Sequence, residues 1–201
     1  GSSNSATRGV IHFSTASAGG NDNNTIDNND IADGAATPAN AIYSSGTAGN
    51  QNSNITISNN HIFNFFHASS RSVGIYANTN STGWTVTGNR LFQTVDRLYT
   101  GACDIYGMWF NDGNGYTISN NVVGYANASG TGTMTLVGNA TPIAGFPTSY
   151  TAGTGVAIRF IGIVGNFATG NPASGIHGNT VSGIAMFTSS TGFVTYGTLC
   201  G

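Results

Sequence analysis

Apolar residues recur along the chain in a fixed frame, apolar-x-x-Asn-x-apolar. The frame reads Ile26-Asp-Asn-Asn29-Asp-Ile31, Ile57-Ser-Asn-Asn60-His-Ile62 and Val86-Thr-Gly-Asn89-Arg-Leu91, then Ile118-Ser-Asn-Asn121-Val-Val123 and Ile176-His-Gly-Asn179-Thr-Val181. Its Asn residues step by 31, 29, 32 and 58 positions. A second series of short apolar runs precedes each frame. It comprises Val10-Ile11-His12-Phe13, Ala41-Ile42-Tyr43, Gly74-Ile75-Tyr76, Gly107-Met108-Trp109-Phe110 and Ala157-Ile158-Arg159-Phe160, with Phe193-Val194-Thr195-Tyr196 as a sixth member. Their centres step by 31, 33, 33, 50 and 36. The two long steps span the same region, so they mark one coil with an insertion rather than two coils. The insertion falls within 124–155, which contains Pro142, Pro147 and many Gly and Thr residues, as an elaborated loop should.

A repeat of about thirty residues built from three-residue runs predicts a solenoid with three short strands per coil. Alternation sends one set of side chains inward and the next outward. Ile11, Ile42, Ile75, Met108 and Ile158 then stack as one inward column. Ile26, Ile57, Val86, Ile118 and Ile176 form a second, and Ile31, Ile62, Leu91, Val123 and Val181 a third. Asn29, Asn60, Asn89, Asn121 and Asn179 sit at the bend between the second and third columns. Asn tolerates left-handed backbone there, and its amide can bond the Asn above and below as a ladder. A helical reading fails, because Gly and β-branched residues abound and no 3.6-residue period persists. The expected fold is all-β, a right-handed parallel β-helix of about five coils forming one domain over residues 1–201. The absence of a capping helix at either end points to a piece of a longer chain.

On these motifs, with segments such as NITISNNHIFNF and NGYTISNNVVGYA, the chain resembles the right-handed parallel β-helix proteins of the pectin-lyase-like superfamily. The repeats are similar to those of large secreted or surface proteins of Bacteroidota. The resemblance covers about Val10 to Tyr196. It implies a secreted or cell-surface location and export as cargo of a dedicated secretion system. It says little about activity, since that fold hosts lyases, hydrolases, adhesins and stalks.

Charge narrows the partners. Only 6% of residues are charged, against roughly 25% in an ordinary domain. All seven acids are Asp and all five bases are Arg, with a net charge of −2. Five scattered Arg residues make no basic stripe for nucleic acid, and no apolar run is long enough to insert in a membrane. No secretory leader is recognisable in the first residues. Cys103 and Cys200 are too few for a disulfide scaffold, and the sequence leaves open whether they pair.

Enzymes of this fold need convergent carboxylates, one to protonate a leaving group and another to activate water or hold metal. Four of the seven Asp residues lie in the first coil. Asp27, Asp30 and Asp33 offer oxygen ligands to a hard cation such as Ca²⁺; the alternative is a polar turn of an edge coil. The next coil carries Ser58, His61 and Asn64 at the matching positions, so the acids do not continue. The His residues lack metal-ligand spacing, and no catalytic residue is assigned. One outward column stands out: His12, Tyr43, Tyr76, Trp109 and Arg159, each directly after a first-strand centre. Stacked aromatic rings suit contact with a polysaccharide or cell-surface glycan; the alternative is that they pack only against each other. The expected function is therefore a non-catalytic adhesin, stalk or glycan-contacting segment. The competing reading is a polysaccharide lyase or glycoside hydrolase.

Overall fold

The computed structural model describes residues 5–14, 19–32, 34, 37–138 and 155–188, and the backbone of 196–200. Every sheet is parallel, and successive strands of each sheet come from successive turns of the chain. The protein is an all-β parallel solenoid. One sheet carries the strands Ile11–Phe13, Asn40–Ser44, Ser72–Ala77, Cys103–Phe110, Ile158–Gly165 and Tyr196–Cys200; it is called the long sheet below. A second stacks Thr25–Asp27, Thr56–Ser58, Thr85–Thr87, Thr117–Ser119 and Gly175–His177. A third stacks Asp30–Ile31, His61–Phe63, Arg90–Phe92, Val122–Gly124 and Thr180–Ser182. Arg97–Leu98, Met134–Val137 and Ile184–Phe187 add a fourth, three-stranded sheet.

The inward columns of the second and third sheets pair as their spacing predicts, Ile57 with Ile26 and Val86, Ile62 with Ile31 and Leu91, and onward to Ile176 and Val181. Their middle members, Ile57, Val86, Ile118, Ile62, Leu91 and Val123, are wholly buried. On the long sheet, Ile11, Ile42, Ile75 and Met108 are in register. The fifth member is Ile163, not Ile158: Met108 pairs with Ile163, and Ile158 pairs with Cys103. Both isoleucines point into the core of one eight-residue strand, so apolar character alone does not separate them. Nor does the small residue before the centre, since Ala157 precedes Ile158 as Gly162 precedes Ile163; the strand pairing decides. Ala41, Gly74, Gly107 and Gly162 share one column. Residues 124–155 are not all loop either, since Met134–Val137 is a buried strand between Arg97–Leu98 and Ile184–Phe187. Residues 139–154 lie outside the described residues, as do Phe193–Thr195 of the sixth run, whose strand is Tyr196–Cys200.

The Asn corner is a continuous ladder. Asn29, Asn60, Asn89 and Asn121 each donate from their backbone N–H and from Nδ2 to the Oδ1 of the next Asn in the series, at 2.9–3.3 Å, ending on Asn179. The same Nδ2 atoms of Asn60, Asn89, Asn121 and Asn179 also donate to the carbonyls of Ile26, Ile57, Val86 and Ile118 on the preceding coil. Asn60, Asn89 and Asn121 are fully buried with their amides satisfied. The left-handed residue is not the ladder Asn but the one before it: Asn28 (φ 57°), Asn59 (54°), Gly88 (68°), Asn120 (56°) and Gly178 (65°). That residue turns the chain, which frees the following Asn to point under the corner. Gly stands at two of these corners for a steric reason. A Cβ at Gly88 would lie 2.6 Å from Asn59 Oδ1, and one at Gly178 would lie 2.5 Å from Asn120 Oδ1.

Candidate functional site

The outer face of the long sheet carries a second apolar cluster, separate from the core. Tyr43, Val73, Tyr76, Tyr106 and Ile161 form it, with Trp109 and Val164 packed against them. Two outward columns build it. One is His12, Tyr43, Tyr76, Trp109 and Val164. The other is Asn40, Val73, Tyr106 and Ile161. The columns are three residues apart on each strand, which strict alternation would put on opposite faces. The Gly column breaks the alternation. A Cβ at Gly107 would point inward, 2.5 Å from Val123 Cγ1, while Met108 beside it is also in the core. Two consecutive inward residues bend the strand, so its two outward columns converge. Trp109 consequently stacks on Tyr76 (centroids 4.6 Å, 15°) and on Tyr106 (4.7 Å, 26°). Tyr43 meets Tyr76 and His12 edge-on at 5.4 and 5.2 Å.

The predicted column thus holds for His12, Tyr43, Tyr76 and Trp109 and fails for Arg159. Arg159 pairs with Asp104, five positions before Trp109, because the register slips with Ile158. Its guanidinium binds both oxygens of Asp104 (Nε–Oδ1 3.0 Å, Nη2–Oδ2 2.6 Å), and Tyr106 donates its hydroxyl to the same carboxylate at 3.1 Å. The cation that lies on the rings is Arg71, 4.8 Å from the Tyr76 centroid and 4.9 Å from that of Trp109. Tyr106 and Arg71 escape the sequence reading. Tyr106 sits two residues before a strand centre, where alternation puts no partner for Trp109, and Arg71 reaches the rings from the strand's start. The face is also less open than the spacing suggests, since Tyr43 and Tyr76 are each only 4% exposed. His12 is exposed, and Trp109 is half-buried. Partial burial and the nearby Arg8 hold the His12 imidazole below its usual pKa.

Asp22, Asp27 and Asp30 of the first coil each tie to the next coil. Asp22 Oδ1 accepts from the Ser53 N–H and hydroxyl at 2.9 and 2.6 Å. Asp27 Oδ1 accepts from the Ser58 hydroxyl at 2.6 Å and from Asn59 Nδ2 at 3.0 Å, and these bonds lower its pKa. Asp30 pairs with His61 Nδ1 at 2.8 Å. Asp33 lies outside the described residues. Asp27 and Asp30 therefore serve different columns, and no group of three His, Cys, Asp or Glu able to hold a metal occurs among the described residues. A shallow depression of about 400 Å³ lies nearby, lined by Gly20, Asp22, Gln51 and Ser53 among others, and contributes a single carboxylate.

The two cysteines sit at opposite ends of the ladder. Cys103 pairs with Ile158 and Cys200 with Gly165, a separation of about 23 Å along the strands at roughly 3.3 Å per residue. A disulfide needs Cα atoms within about 7 Å. The denatured, unreduced chain should therefore release two thiols in a thiol titration; none released would contradict the register. Burial, with Asp104 beside it, pushes the Cys103 thiol up to about 12, so it should resist alkylation in the folded protein at neutral pH.

Comparison of the chain with protein-family models, with curated proteins and with solved structures finds no match.

Proposed function

We propose that the chain is a non-catalytic stretch of right-handed parallel β-helix within a large secreted or cell-surface protein. It acts as an adhesin, stalk or glycan-contacting module and reaches the surface as cargo of a bacterial secretion system. Right-handed connection is the rule for parallel strands joined by a crossover. The observation that carries the reading is the use of the carboxylates. Asp22, Asp27, Asp30, Asp104 and Asp112 each bond a residue on an adjacent coil. Glycoside cleavage needs two carboxyl groups facing one bond, one to give a proton and one to activate water or attack. Acids spent in separate columns on coil-to-coil ties do not supply that pair. The aromatic cluster on the outer face gives the module something to bind with, because rings with polar edges stack on the apolar faces of sugars.

A release assay against a panel of uronic-acid and neutral polysaccharides tests this. No new reducing ends or unsaturated products are expected from any substrate. Turnover that survives repurification would overturn the proposal in favour of a lyase or hydrolase.

A further inference from the structure

We infer that the outer face of the long sheet holds an oxyanion-binding position, made by the Arg71 guanidinium against the Tyr76 and Trp109 rings. This rests on reading the face as a glycan-contacting surface and adds the class of ligand, a saccharide bearing a carboxylate or a sulfate.

Charge distribution supports it first. The protein is acidic overall, yet three of its five Arg residues gather on this side. Arg71 and Arg159 frame the cluster, and Arg8 lies close enough to His12 to depress its pKa. The acid paired with that sheet position is Asp104. Both its oxygens are taken by Arg159, and Oδ2 also accepts from Tyr106. Among the described residues, no carboxylate pairs with Arg71. Its hydrogen bond is a long one, Nη2 to the Ala6 carbonyl at 3.5 Å, and its buried Nε has no partner among the described residues. A guanidinium carries five N–H donors. Arg97, by comparison, is nearly buried but satisfied by Gln93 and Asn64 at 2.7 and 2.6 Å.

The geometry prepares Arg71 for a ligand. Contact with both rings, at 4.8 and 4.9 Å, holds the guanidinium in place, and its fork of donors matches the two oxygens of a carboxylate or sulfate. The half-buried Trp109 beside it offers a surface for the sugar ring that carries the anion. Partial burial strengthens the charge-assisted bonds relative to an exposed arginine.

The test is binding of the whole chain to dextran, dextran sulfate and a linear polyuronate, with inorganic sulfate as competitor. At low salt the protein should bind at least one of the two anionic polymers and not dextran; which one it prefers identifies the anion. Arg71→Gln should weaken that binding about tenfold or more, with an unchanged melting temperature. Arg90→Gln, a charge removed from the third sheet, should change it by roughly twofold at most. Should Arg71→Gln fail to fold, Arg71→Lys serves, since it keeps the charge and loses the flat fork; it should bind more weakly than the parent. Binding of dextran as strongly as the anionic polymers would overturn the oxyanion assignment and leave the glycan-contacting reading intact. Full binding by the Arg71 variants, or an equal loss in Arg90→Gln, would overturn the site. No binding to any of the polymers would overturn both.

Discussion

Asn89→Ala is expected to lower the unfolding free energy by about 4 kcal/mol, because it strips buried bonds from both sides of one coil. Asn89 Oδ1 accepts from the backbone N–H and Nδ2 of Asn60, both at 3.0 Å. Its Nδ2 donates to the Ile57 carbonyl at 2.8 Å and to Asn121 Oδ1 at 2.9 Å. Asn60 and Asn121 are fully buried, so no water replaces the lost partner, and two Asn60 donors are stranded. A buried unsatisfied polar group costs about 1–3 kcal/mol, and the truncation strands more than one. Asn29→Ala is the control. Asn29 is exposed and acts in the ladder as a donor, so its loss should cost about 1 kcal/mol or less. Urea melts of the two variants check the contrast; equal losses would mean that the ladder is not a buried column.

Gly107→Ala should cost about 3 kcal/mol, at the upper end of what overpacking a core exacts. Its backbone is not left-handed, so the penalty is steric. A Cβ there runs into the Gly162 carbonyl oxygen and lies 2.5 Å from Val123 Cγ1. The carbonyl belongs to a strand held along the whole ladder and has nowhere to go. Ala41, fully buried in the same column between two paired strands, shows that a methyl is not excluded from the column as such, so the penalty at Gly107 comes from its own close contacts. Gly19→Ala, with open space around the position, should be close to neutral. Because Gly107 sets the bend that brings Trp109 onto Tyr106, the variant's tryptophan emission should shift as well. Loss of stability without a spectral change would detach the bend from the aromatic stack.

The inward columns of the second and third sheets were legible because a three-residue strand leaves little choice of register, and a buried Asn next to it removes the rest. The long sheet was harder for the opposite reason. Ile158 and Ile163 both satisfy an apolar template within one eight-residue strand. A small residue precedes each of them, Ala157 and Gly162, so only the strand pairing identifies the true frame. The aromatic column was visible as far as Trp109 and wrong at Arg159 for that same slip. Arg71 was invisible, because a long side chain reaching along a strand leaves no trace in spacing. The acids of the first coil looked like a cluster in sequence. In space they diverge, since each turns to the donor 31 residues on.

The ladder also has a mechanical meaning. The strands of the second and third sheets are two or three residues long, so around the corner each turn is fastened to its neighbour by few backbone bonds plus one asparagine link, and the long sheet carries the rest. Tension applied to the two ends loads these fastenings in series, and the outermost gives first, because each turn touches only its neighbours. The chain should then pay out turn by turn. A 31-residue turn releases roughly 100 Å of length at about 3.3–3.6 Å per residue. A stalk built this way would yield under a pull in regular increments and re-form from whatever turns remained seated.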